Sequence, residues 1–118
     1  AGGTMTGAVK GSTQTATLTA AATLDFSTYQ NFVLTLAPSS GTTINLANPS
    51  TDVVGQSGFI AFIQDGTGGR LVTASGDYET AAAAGVTLTS TASATDLVPY
   101  LVVASNRVLL GTPQLAFA

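Results

Sequence analysis

Polar and apolar residues alternate with a period of two in a series of short runs, and no stretch sustains the 3.6-residue period of an amphipathic helix. Thr13, Thr15, Thr17 and Thr19 alternate with Gln14, Ala16, Leu18 and Ala20. Leu24 and Phe26 share one face within residues 23–28, and Phe32, Leu34 and Leu36 share one within residues 32–36. Each pattern predicts a half-buried strand. Residues 37–41 supply turn chemistry, and the alternation resumes over residues 42–46 until Asn48-Pro49-Ser50 ends it. Residues 58–64 are apolar at nearly every position, which predicts a central strand covered on both faces.

The string Asp65-Gly66-Thr67-Gly68-Gly69 follows that strand, and residues 70–74 resume an extended pattern, so the pair predicts a β-hairpin. Residues 75–85 predict a loop with one helical turn at the alanine run, residues 86–88 a short strand and residues 90–96 a turn. Residues 97–104, 108–110 and 115–117 predict closing strands, with Ser105-Asn106 as a tight turn between the first two. Short strands at intervals of roughly 8–12 residues predict an all-β fold, an antiparallel β-sandwich of jelly-roll type. It is expected to occupy residues 12–118, with residues 1–11, four of them glycine, as an extended arm or linker.

With 118 residues the chain has room for one domain. Only 8% of the residues are charged, and 20 Thr and 10 Ser fill much of the polar remainder, so the surface is hydroxyl-rich rather than ionic. The absence of His, Cys and Trp removes imidazole bases, thiolates, their metal sites and disulfides. Neither a cofactor nor an enzymatic activity is expected. Lys10, Arg70 and Arg107 are the whole cationic complement against a net charge of −3, too few for a nucleic-acid surface. No apolar run approaches the roughly 18 residues of a membrane span, and no leader pattern opens the chain. A surface so poor in charge has little protection against its own copies, which predicts a homo-oligomer.

Few constellations carry chemistry. Gln64-Asp65-Gly66-Thr67-Gly68-Gly69-Arg70 is Gly-rich but lacks the phosphate-loop spacing and lysine and precedes a strand, so a structural turn is expected, with Asp65, Gly66, Gly68, Gly69 and Arg70 as its working residues. Asp77 and Glu79 could offer two oxygens to Ca²⁺, far fewer than the six or more it takes, and predict an exposed polar pair. A nucleophilic serine would have Lys10 as its candidate base, placed in the Gly-rich arm. Tyr29, Tyr78 and Tyr100 are the candidate glycan contacts, provided that they gather on one exposed surface. Asp96 precedes an apolar strand and Arg70 follows the loop, which predicts a structural clamp between them.

Two segments resemble bacteriophage tail-fibre and related virion proteins. The opening AGGTMTGAV, Ala1 to Val9, is similar to a GGTMTG element that recurs in tail-fibre chains, typically with an apolar residue after the last Gly. From about Thr17 to Phe117, the strands, Asn48-Pro49, QDGTGGR at residues 64–70 and TLTSTASATD at residues 87–96 resemble the β-rich module at the distal end of phage fibres. The resemblance implies a trimeric structural module on the virion surface, joined to other virion proteins and contacting host-surface polysaccharide. Its partner would be the fibre shaft or, in the alternative of a capsid-decoration protein that stabilises the head, the major capsid protein. Members often carry aromatics after the GGR strand and in the last hairpin. Here those places hold Ala74-Ser75-Gly76 and Asn106-Arg107-Val108, which moves weight from receptor binding to a structural role.

Overall fold

The computed structural model describes residues 3, 4, 6–8, 10–51 and 53–118. The strands are β1 (Thr13–Leu18), β2 (Ala22–Asp25), β3 (Asn31–Leu36), β4 (Thr43–Thr51), β5 (Ser57–Gln64), β6 (Leu71–Ala74), β7 (Tyr78–Thr80), β8 (Thr95–Ala104), β9 (Arg107–Leu110) and β10 (Gln114–Phe117). A single 3-10 turn, Ala81–Ala83, follows β7.

The first six strands alternate between two sheets. β1, β3 and β5 run parallel in the larger sheet, and β2, β4 and β6 run parallel in the smaller one. The chain therefore winds as a flattened coil in which each strand pairs with its counterpart one coil later. Phe32 faces Ile60 and Thr43 faces Leu71, a coil of 28 residues, whereas Thr13 faces Asn31 in a shorter first coil of 18. The fold is a β-solenoid, and this corrects the expected jelly-roll sandwich. Period-two alternation fixes which side chains a strand buries but not the direction of its neighbour. The expected hairpin at residues 64–70 fails for that reason: β5 and β6 lie in different sheets, and the loop is a corner of the coil.

The C-terminal strands change direction. β8 pairs antiparallel with β5, turns at Ser105-Asn106 with Asn106 at φ 61, and pairs antiparallel with β9; β10 returns along the start of β8, and β7 lies parallel to β9. Two further expectations shift. Residues 86–88 form no strand, although Val86 and Leu88 pack against the core. β4 continues through Asn48-Pro49-Ser50, because β6 pairs only with Thr43 to Leu46 and requires no amide donor at Pro49. The register with β2 slips between Ala47 and Thr51, and this absorbs the proline.

Leu24, Phe32, Leu34, Ile44, Ile60 and Val98 are among the fully buried side chains that fill the space between the sheets. β5 has β3 on one side and β8 on the other, but only its inward side chains Ile60 and Phe62 are buried. Phe59, on the outer face, is 47% exposed. Within one chain, then, this central strand is covered on one face. Residues 3, 4, 6–8 and 10 are exposed and belong to no strand, and the rest of the arm expected over residues 1–11 falls partly on Ala1, Gly2, Met5 and Val9, outside the described residues.

Candidate functional site

The most elaborate polar construction sits where β5 gives way to β6. Gln64 occupies the inward phase of β5, in line with Ile60 and Phe62, and is buried. Its Oε1 accepts the Arg70 amide at 2.9 Å, while its Nε2 donates to the carbonyls of Arg70 and Thr89, each at 2.9 Å. Asp65 Oδ1 accepts the amides of Thr67 and Gly68 at 3.1 and 3.0 Å, and the Arg70 guanidinium closes on the same carboxylate, Nη2 to Oδ2 at 2.9 Å. The guanidinium, followed by the amides, holds the Asp65 carboxyl at about 2, below its ordinary 3.8. This loop docks on the segment before β8: Gly69 donates its amide to the Ser90 carbonyl at 2.8 Å, and Ser93 donates to the Asp65 carbonyl at 3.0 Å. The two strings that stood out in the sequence, residues 64–70 and 87–96, are thus the two halves of one corner.

The expected clamp between Arg70 and Asp96 is replaced by different pairings. Arg70 belongs to Asp65, five residues away, because both lie within the same tight loop. Asp96, only 2% exposed, accepts backbone amides instead, from Thr89 at 2.6 Å and Ala116 at 2.8 Å. It thereby ties β8 to the docking segment on one side and to β10 on the other.

A second corner joins β2 to β3. Asp25 accepts the Ser27 hydroxyl at 2.6 Å, the Thr28 hydroxyl at 2.7 Å and, from the end of β4, the Thr51 hydroxyl at 3.0 Å. These hydroxyls hold its carboxyl well below the ordinary carboxylate range. Above it Tyr100 donates its hydroxyl to the Gln30 carbonyl and accepts Gln56 Nε2 at 2.9 Å. Its ring packs on Phe26 at 5.0 Å, and Phe26 meets Phe32 edge-on at 5.4 Å.

The three tyrosines therefore do not form a stacking surface, which corrects the glycan-contact expectation. Tyr78 and Tyr100 are buried, and Tyr29 is half-buried against Phe32. Glu79 does not stand ready as a ligand with Asp77; it accepts the Arg107 guanidinium at 2.7 Å. Gly66 and Thr67 are exposed at the tip of the first corner, and Lys10 is exposed outside any strand. A surface hollow of about 590 Å³ is lined by residues that include Val72, Tyr78, Glu79, Thr80 and Val86, and its carboxylate is the one that Arg107 holds. Among the described residues no group of three or more acidic side chains could hold a metal, and no helix is long and apolar enough to cross a membrane. Gln64, Thr89 and Ser90 carry the first corner, and the sequence reading, although it singled out both strings, gave none of the three a role. The available signal was a single amide side chain in the inward phase of an otherwise apolar strand.

Comparison with curated proteins and with solved structures gives no match. Comparison with protein families does: the family described as "Putative phage tail fibre C-terminal domain" matches residues 5–104, most of the chain and both corners. The protein belongs to this phage tail-fibre C-terminal domain family.

Proposed function

We propose that the chain is a non-enzymatic β-solenoid module of the phage tail fibre that stands as a homotrimer. Its family places it in the tail of the virion with a structural role, in association with other virion proteins. The observation that carries the non-enzymatic reading is the use made of its polar side chains. Asp25, Gln64, Asp65, Arg70 and Asp96 are each committed by hydrogen bonds or an ion pair to fastening the coil. The low charge and exposed apolar side chains of the larger sheet support association between copies. A glycan contact through the tyrosines is not part of the reading, because their rings are packed. The capsid-decoration alternative gains nothing from the tail-fibre family.

Gold-labelled antibody against the purified chain should decorate the tail fibres of intact virions and leave the heads bare. Purified chain should release no reducing sugar from host-surface polysaccharide. Label on the heads would overturn the tail assignment, and sugar release would overturn the non-enzymatic one.

A further inference from the structure

The two sheets present very different outer faces. On the smaller sheet the outward positions include Thr23, Asp25, Thr43, Asn45 and Thr73, and the Thr73 hydroxyl donates to Asn45 Oδ1 across two strands at 3.0 Å. Leu71 apart, that is a polar face. On the larger sheet the register aligns Val33, Ala61 and Leu97 in one row and Phe59 with Pro99 in the next. Ser57, Leu101 and Leu109 form a further row, and Phe117 lies beside Thr95. Phe59 is 47%, Leu101 42% and Phe117 51% exposed. Among the described residues this is a largely apolar sheet face whose outward side chains stay exposed or half-buried.

We infer that the outer face of the larger sheet, centred on Phe59, Ala61, Leu97 and Leu101, is the surface on which copies of this chain pack against one another. The inference rests on the homotrimer proposed above and assigns its contact. Three observations select a second copy as the occupant. First, the outward phase of β5 carries Phe59, Ala61 and Ile63 beyond Ser57, with Phe59 exposed and the other two only half-buried among the described residues, so an apolar cover of similar extent suits it. Second, the charges at outward strand positions of this sheet are Glu79 and Arg107, at one corner and neutralising each other, so identical faces meet without like-charge repulsion. Third, four to five strands at about 4.8 Å spacing and six residues at about 3.3 Å rise give a face roughly 20 Å across in each direction. Its projected area, on the order of 400 Å² before side-chain relief, lies in the range of the largest, often functional, patch of a soluble chain and would supply about half of a standard interface of about 800 Å² per partner.

The test uses the full chain at micromolar concentration in sedimentation velocity. The wild type should run at three times the 11.7 kDa chain mass, and Phe59→Asp and Leu101→Asp should each shift it to the chain mass with the β-type circular dichroism retained. Leu71→Asp, at the 54%-exposed apolar position on the other sheet's outer face, should leave the trimer intact. Because the chain has no Cys, Ala61→Cys offers a second readout that adds no charge, and a short bis-maleimide, which takes one thiol at each end, should join these chains into covalent dimers while Asn45→Cys chains stay single. A wild type at the chain mass would overturn the homotrimer and this assignment with it. A trimer that survives both Asp variants, or covalent capture at position 45 and not at 61, would overturn this assignment alone.

Discussion

Among individual residues, the glycines of the 64–70 corner separate into three roles that their sequence does not distinguish. Gly68 sits at φ +76, and a Cβ built on it would lie 2.6 Å from the Ser90 carbonyl oxygen and 2.7 Å from the Ala92 amide nitrogen. Both are backbone atoms of the docking segment and cannot swing aside. Gly69 is at φ +70 with open space around its Cβ direction, and Gly66 has neither constraint. Gly68→Ala therefore combines left-handed strain with a backbone collision and should cost about 2–4 kcal/mol. Gly69→Ala carries the strain alone, about 1 kcal/mol, and Gly66→Ala should stay within about 0.5 kcal/mol of wild type. Urea unfolding of the three variants checks the order. A Gly68→Ala protein as stable as Gly66→Ala would show that the two halves of the corner are not in contact.

Among the elements, β10 is the one least secured by burial, since all four of its residues are exposed. What holds it is its ladder with β8 and the amide of Ala116 on the buried carboxylate of Asp96. Asp96→Asn keeps the size but turns one acceptor oxygen into an NH₂ group, which faces either the Ala116 or the Thr89 amide with no acceptor between them. The expected cost is about 1–3 kcal/mol, with faster hydrogen exchange at those two amides than at the centre of β8. Unchanged exchange at both would show that the carboxylate does not anchor these segments. The same element scale shows what the sequence made legible. Strands such as β3, β8 and β9 announce themselves through alternation because one face of each is buried, and the hairpin between β8 and β9 is readable because its turn is local. The winding of β1 to β6 is not readable in that way, because pairing Phe32 with Ile60 or Thr43 with Leu71 is a relation across 28 residues that leaves no mark on either strand. The polar corners were half legible. Asp65 and Arg70 advertise a loop, but Gln64 and the docking of Ser90 and Ala92 depend on the coil having already brought residues 64–70 against residues 87–96.

Across the whole molecule, the coil is fastened on opposite edges by two carboxylates: Asp65 where the chain passes from the larger sheet to the smaller, and Asp25 where it returns. Both have an ordinary value of 3.8, which applies to the unfolded chain. In the folded protein the Arg70 guanidinium holds Asp65 at about 2, and the Ser27 and Thr28 hydroxyls pull Asp25 down in the same direction. As pH falls below about 4 the unfolded chain takes up protons at these positions while the folded chain does not, so mass action favours unfolding. The stabilisation they provide is fully present above that range; the share of Asp65 is lost as pH falls through about 2, and that of Asp25 declines in the same direction. Urea midpoints should therefore be insensitive to these two groups between pH 7 and pH 5 and should decline from pH 4 to pH 2.5. Asp65→Asn should lower the midpoint at pH 7, because the Asn cannot hold the guanidinium as an ion pair, and should also reduce the acid decline, because its share of the proton linkage is gone. An Asp65→Asn protein with the full wild-type decline would show that the corner ion pair does not couple protonation to the closure of the coil.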